Sequence, residues 1–350
     1  MTPHPSPKIL LIRRDNIGDL VCTTPLIAAL RARFPQAWLG ALTNSYNAPV
    51  LQGNTDLDEV LAYTKAKHRH ADESLAGILW RRFSMMRRLR QMRLDDIIVA
   101  TPAAQPRSVR LARWLQPKRI IGFGAVPGLD VALEPGRADR HEVEEVFRVA
   151  ALYGVEGAPP PCRVLAPSTA PPSVSPAPTF TLGVHISARK PSQRWPAERF
   201  AASIRQLAAT DAQMRFKLLW SPGDATNPQH PGDDAKAQQV MAAAGDGVHL
   251  HACPTTQLAQ LIAALAECDA LICADGGAMH LAAGLGLPIV CLFGDSGAQH
   301  WRPWGVPYRL LQKPSRTVMD IEVAEVLTAF FELKKNSFVH EKHERREQKQ

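Results

Sequence analysis

The run "RRDNIGDLVCTTP", residues 13–25, follows the apolar segment "KILLI" (8–12). A turn after a first strand is where a dinucleotide-binding chain carries a glycine-rich phosphate loop. This chain carries a single glycine there, Gly18, and beside it a carboxylate, Asp19. Gly18 permits a tight turn close to a ligand. Asp19 falls at the start of the next helix, where its charge suits the helix dipole and it can cap free N–H groups. The chemical alternative is a carboxylate that takes a proton from a hydroxyl. Thr23 and Thr24, one turn later, can contact a ligand or face the sheet.

Two further stretches follow apolar runs. In "ADGGAMHLAAGLGLPIVCLFGDSGAQHWRPWG" (274–305), an acid, Asp275, and two glycines, Gly276 and Gly277, precede a helix that bears His280. Free N–H groups at a helix start suit a diphosphate, and glycines let it approach the backbone. Asp275 can hold a sugar hydroxyl or cap the helix; His280 can donate to a phosphate or bond locally. In "HISARKPSQRWPAERF" (185–200), Ser187, Arg189, Lys190 and Arg194 follow a strand, and the cations can neutralise a leaving diphosphate or form a solvated loop. Pro196 suits the first turn of the helix beyond. The loop "SPGDATNPQHPGDDAK" (221–236) holds His230 with Asp224, Asp233 and Asp234, a set that in an irregular loop more often faces water than binds a metal.

These stretches need strands and helices to hold them. Apolar runs at 8–14, 37–43, 59–63, 95–100 and 119–124 read as strands, with helices expected at 19–34, 72–93, 105–116 and 139–154. Residues 157–179, dense in proline, serine and alanine, read as a linker. Strands resume at 180–186, 215–220, 248–252, 270–275 and 288–294, and Thr255 is expected to cap the helix within "PTTQLAQLIAALAEC". Alternation of this kind predicts parallel sheets covered on both faces. The expected organisation is an N-terminal domain at 1–156, a linker at 157–179 and a C-terminal domain at 180–333 whose last helix can pack back on the first domain. A charged, disordered tail is expected at 334–350. Two doubly wound units would leave a cleft beyond the carboxyl ends of their strands.

The net charge is +8 over 350 residues, which favours an anionic partner. Part of the excess lies in "RRFSMMRRLRQMR" (81–93). The six cysteines show no metal-ligand spacing, and a reducing cytoplasm is the simpler setting. Neither a signal peptide nor an uninterrupted apolar span of about 20 residues is present in the sequence. A nicotinamide-dependent oxidoreductase would need G-x-G-x-x-G after the first strand, and "RRDNIGDLV" lacks it. Nucleic-acid binding rests on charge alone, without a motif. A non-catalytic nucleotide- or glycan-binding protein fits the same residues.

Together, "NIGDLVCTTPLIAALRARFP", the "RWP" after a strand and "DGGAMHLAAGLGLPIVCLFGDSGAQHWRPWG" resemble glycosyltransferase family 9, the heptosyltransferases of lipopolysaccharide core assembly. The similarity runs from about Lys8 to Phe330. It implies an α/β GT-B fold, two Rossmann-like domains facing a central cleft, with the acceptor bound by the first and the nucleotide-sugar donor by the second. The implied reaction is inverting transfer from ADP-L-glycero-D-manno-heptose, with Asp19 as base and Asp275 and His280 on the donor. It also suggests that Gly18, Thr23 and Thr24 meet the acceptor, and that Arg81, Arg82, Arg87 and Arg88 dock an anionic lipopolysaccharide precursor or the inner membrane surface from the cytoplasmic side. No DxD-type metal signature is present, so no metal or other cofactor is expected, although Mg²⁺ could assist a diphosphate. Two positions depart from the family: Gln193 stands where relatives commonly carry lysine, and Gly276 where they carry threonine or serine. Lys190, Arg189 or Arg194 can replace the missing cation. A different nucleotide-sugar donor is the alternative.

Overall fold

A computed structural model describes residues 6–63, 74–167, 179–226 and 232–347. His230 therefore lies outside the described residues, as do residues 168–178 of the expected linker. The chain divides into two units, Met1–Leu165 and Ala166–Gln350.

In the first unit the strands are β1 (Lys8–Ile12), β2 (Trp38–Asn44), β3 (Glu59–Tyr63), β4 (Asp96–Val99), β5 (Arg119–Phe123) and β6 (Val131–Leu133). The helices are α1 (Ile17–Val21), α2 (Thr24–Arg33), α3 (Leu75–Gln91), α4 (Pro106–Leu115) and α5 (Glu142–Phe147). The sheet is parallel, in the order β3-β2-β1-β4-β5-β6. Leu10 is in register with Gly40 on one side and Ile97 on the other. Ile9–Ile12 and Ile97–Val99 are buried throughout, which is why β1 and β4 read as continuous apolar runs rather than alternating ones.

The second unit repeats the plan. Its strands are β7 (Thr181–His185), β8 (Arg215–Trp220), β9 (Leu250–Pro254), β10 (Ala270–Ala274), β11 (Ile289–Phe293) and β12 (Tyr308–Gln312), in the order β12-β11-β10-β7-β8-β9. Its helices are α6 (Ala197–Thr210), α7 (Asp234–Ala244), α8 (Leu258–Ala266), α9 (Gly277–Gly284), α10 (Ala298–Trp301) and α11 (Val323–Glu347). Trp195 anchors its core. The ring packs edge-on against Phe200 at 4.8 Å, and Nε1 donates to the Ile321 carbonyl at 2.9 Å. In each sheet the chain reverses its order of addition beside the first strand, between β1 and β4 and between β7 and β10. Such a switch point leaves a crevice at the carboxyl ends of the strands.

Four expectations need correction. The helix expected over 19–34 is two helices, because Pro25 inside one continuous helix would remove an N–H donor and clash with the preceding turn; the chain restarts at Thr24 instead. Thr255 does not cap α8; its hydroxyl donates to the Trp220 carbonyl, while Gln260 Oε1 accepts from the Thr256 and Gln257 amides. Residues up to Leu165 belong to the first unit, where Cys162 and Val164 are buried, so the segment expected as a linker from 157 starts later. From Lys334 the chain continues α11 to Glu347 instead of ending in a disordered tail. The buried residues of α11, Val326, Ala329, Phe330 and Leu333, join the core of the second unit.

Candidate functional site

Beyond β1 the chain turns through Arg13–Asn16 into α1. Arg13 is buried and its guanidinium collects three acids. Nη2 donates to Asp19 Oδ1 at 2.7 Å and to Glu142 Oε1 at 2.6 Å, and Nε lies 3.1 Å from Asp15 Oδ2. Nη1 donates to the Ala100 carbonyl beyond β4. Burial alone would lower the Arg13 pKa, but attraction to Asp19, Glu142 and Asp15 outweighs it and the net shift is upward. Glu142 is placed by the start of α5, where His141 Nδ1 accepts from the Val143 amide and Glu144 accepts from the His141 amide.

Asp19 is the third residue of α1, and its Oδ2 accepts from the Asn16 amide at 3.1 Å. The capping role and the directed carboxylate therefore coexist. One oxygen closes the helix start, the other faces Arg13, and each keeps a second lone pair for a hydroxyl. The Asp19 side chain is 13% exposed, enough to be reached from outside. Gly18 adopts an ordinary helical conformation, so the turn does not depend on the freedom of glycine. Thr23 and Thr24 are buried and do not present hydroxyls to a ligand. Thr23 Oγ1 donates to the Asp19 carbonyl at 2.9 Å, and Thr24 Oγ1 donates to Val21 and accepts from the Arg163 amide.

The same strand ends open onto a cavity of about 560 Å³. Arg14, Arg82, Arg107 and Arg110 line it, with Tyr63, Trp114 and one acid, Asp15. The Arg14 and Arg82 guanidiniums lie 5.7 and 5.4 Å from the Tyr63 ring centroid, and Arg14 Nη2 donates to Ser108 Oγ. Four guanidinium groups against one carboxylate make this a cavity for an anion. Of the four arginines expected to dock an anionic partner, Arg82 lines the cavity. Arg88 pairs with Glu59, and Arg81 and Arg87 are exposed on α3. Arg14, Arg107 and Arg110 went unnoticed in the sequence because Arg14 lies far along the chain from the other two and no motif joins them.

In the second unit, Asp275, Gly276 and Gly277 stand at the end of β10 and the start of α9. Asp275 Oδ2 accepts from Gln193 Nε2 at 2.8 Å, and the same amide donates to Ser296 Oγ at 2.9 Å. Gln193, the buried last residue of a 3-10 turn, thus ties three loops together. Gly294 is required beside it, since a Cβ there would stand 2.3 Å from the Ser192 carbonyl oxygen. His280 is buried on α9, edge-on to the Trp301 ring at 5.9 Å.

The expected phosphate cations are present but engaged: Arg194 donates to Asp233 at 2.7 Å, and Lys190 meets Asp295 at 3.1 Å. Ser187 Oγ accepts from the Ser221 amide. Arg189 is exposed. Lys236 is a further cation at this end of the sheet that sequence reading passed over. It donates to the Ile186 carbonyl at 2.9 Å, and burial pushes it down to about 8. Asp224, Asp233 and Asp234 have separate partners in Thr226, Arg194 and Trp220, so these three do not converge on one point.

The family model described as glycosyltransferase family 9 (heptosyltransferase) matches residues 82–322, more than half of the chain. The chain belongs to glycosyltransferase family 9. It is 22% identical over 331 residues to lipopolysaccharide heptosyltransferase 2 of Escherichia coli K12, covering 87% of this chain and 88% of that one. The fold matches a family 9 glycosyltransferase from Veillonella parvula with a TM-score of 0.75, at 19% identity over 93% of this chain and 97% of that chain. It also matches the E. coli heptosyltransferase WaaC solved with ADP-2-deoxy-2-fluoro heptose, with a TM-score of 0.70 at 18% identity over 93% and 99% of the two chains. The two Rossmann-like units are thus those of the GT-B fold, and this family 9 member is a glycosyltransferase. The matched region begins beyond Asp19, so the family model does not include the first loop.

Proposed function

We propose that the enzyme transfers a heptose from ADP-L-glycero-D-manno-heptose to a lipopolysaccharide-core acceptor, inverting the anomeric centre, with Asp19 as general base. The observation that carries this reading is the Asp19 carboxylate, fixed by Arg13 and the Asn16 amide at the strand ends that also open onto the arginine-lined cavity. An acceptor bearing carboxylates or phosphates would seat its anions among Arg14, Arg82, Arg107 and Arg110, bringing a hydroxyl toward Asp19. The proton passes to an Asp19 oxygen as the acceptor oxygen bonds to the anomeric carbon. The bond from that carbon to the diphosphate oxygen breaks on the opposite face, and ADP leaves with the electron pair.

In the second unit, the N–H groups opening α9 suit the diphosphate, and Asp275 accepts from a sugar hydroxyl. Gln193 supplies a neutral donor where relatives carry lysine, so the positive charge for the leaving group would come from Lys236, or from Arg194 and Lys190 on exchanging their carboxylate partners. ADP as the leaving nucleotide is inferred from the complex of the E. coli relative.

Replacing Asp19 with Asn keeps the shape and removes the base. Transfer should fall by about 10²–10⁴-fold in kcat, with donor binding retained. Unchanged transfer would overturn the base assignment. Calorimetric titration with ADP, UDP and GDP tests the donor separately. Selective ADP binding is expected, and preference for UDP or GDP would favour the alternative of another sugar donor.

A further inference from the structure

Helix α3 presents a surface that the transfer chemistry does not use. Leu79, Trp80 and Phe83 are 62%, 68% and 52% exposed, among the most exposed large apolar side chains of the described residues. Their spacing places them on one face within the first half of the helix, with the Trp80 and Phe83 rings 6.1 Å apart. Arg87 continues that face one turn beyond Phe83. Along its whole length α3 carries five arginines (Arg81, Arg82, Arg87, Arg88 and Arg90) and no acid. Glu59 answers Arg88, while Arg90 stacks over Trp114 at 5.3 Å. The opposite face is anchored: Ile78, Met86 and Leu89 are buried, so the helix has its share of the core without the exposed face.

We propose that this face of α3 docks the enzyme on an anionic lipid bilayer, with Leu79, Trp80 and Phe83 entering the headgroup region and the arginines meeting lipid phosphates. Indole and phenyl rings beside guanidinium groups are the chemistry of a membrane interface, where apolar body and cation are satisfied at different depths. A second copy of the chain would set one arginine-rich helix without an acid against another, so self-association through this face is electrostatically opposed. Three adjacent side chains more than half out of the surface also suit a deformable medium better than a rigid partner. None of the described helices is long and apolar enough to cross a membrane, so the contact is peripheral. Arg82, on the same helix, turns into the anion cavity, which places that cavity next to the docked face. The proposal rests on the surface of α3 and stands apart from the identity of donor and acceptor.

The test is co-sedimentation of the full chain with phosphatidylglycerol-containing vesicles and with pure phosphatidylcholine vesicles, none containing glycolipid. The wild type should sediment with the anionic vesicles and lose that binding in high salt. L79Q/W80Q/F83Q should weaken binding by about tenfold or more, and R87Q by about fivefold. Exposed positions should leave the circular-dichroism melt unchanged; if the triple variant melts early, W80Q alone carries the comparison. Wild type that stays in solution with anionic vesicles would overturn the proposal, because a surface serving only a glycolipid acceptor behaves that way. So would variants that sediment as well as wild type, or a triple variant whose only change is a smaller particle mass by light scattering.

Discussion

Arg13 is the residue on which the first loop depends, because removing it leaves Asp15, Asp19 and Glu142 facing one another without a cation. Breaking a buried charge set in this way costs about 3–5 kcal/mol. Arg13→Met should therefore lower the urea midpoint by a corresponding amount, whereas Asp19→Asn, which leaves Arg13 with Glu142 and Asp15, should lower turnover far more than stability. Comparable losses of stability in both would mean that Asp19 is chiefly structural. Gly276 offers a milder test in the second unit. A Cβ at this helix cap would meet nothing within 4 Å, and the backbone is extended, so Gly276→Ser should be accommodated. As an N-cap hydroxyl it should add a few tenths of a kcal/mol. A loss above about 1 kcal/mol in thermal unfolding would show that the position is closed to a side chain. Asp19 and Asp275 were legible because each lies just beyond an apolar run, at the start of a helix. Glu142, 129 residues from Arg13, has no local signature, and Gln193 looked like an absence until its amide was found on Asp275.

At the scale of elements, the buried central strands were plain in the sequence, since their apolar runs need no period to be recognised. The edges were not. β6 is three residues long, and β12, "YRLLQ", is only partly buried on every residue, so neither offers a run or a clean alternation. The 3-10 turn Arg148–Tyr153 was read as the end of a longer helix, and its function is tertiary. Tyr153 Oη donates to Asp96 Oδ2 at 2.7 Å, and Arg119 grips the same carboxylate through two bonds of 2.9 and 2.8 Å. That triad fastens the turn to β4 and β5. Tyr153→Phe removes the hydroxyl while Arg119 keeps Asp96 paired, so the expected cost is about 1.5–3 kcal/mol, the range for a hydrogen bond to a charged group. Amide exchange should quicken in β4, β5 and the turn together. Quickening confined to the turn would mean that the triad does not couple them.

The two units share one strand order, and in the second the groups beside the switch point give its stability a pH dependence. His185 ends β7, beside the switch point of the second sheet. Burial and the neighbouring Lys236 ammonium push it down from 6.5 to about 4. Between those values the unfolded chain binds a proton that folded His185 refuses, so stability contributed by this group is complete above pH 6.5 and lost as pH falls toward 4. At about 1.4 kcal/mol per pK unit, the loss is about 3 kcal/mol. Lys236, lowered from 10.5 to about 8, acts in the same direction in an alkaline window, because there too the unfolded chain holds the extra proton. Acidification from neutral pH should therefore raise amide exchange in β7, β8 and β10 of the wild type beyond that of a His185→Gln variant. The gap should widen steadily below pH 6.5 and correspond to about 3 kcal/mol near pH 4. Exchange curves for wild type and variant that stay parallel over this range would show that His185 is not what makes the second unit acid-sensitive.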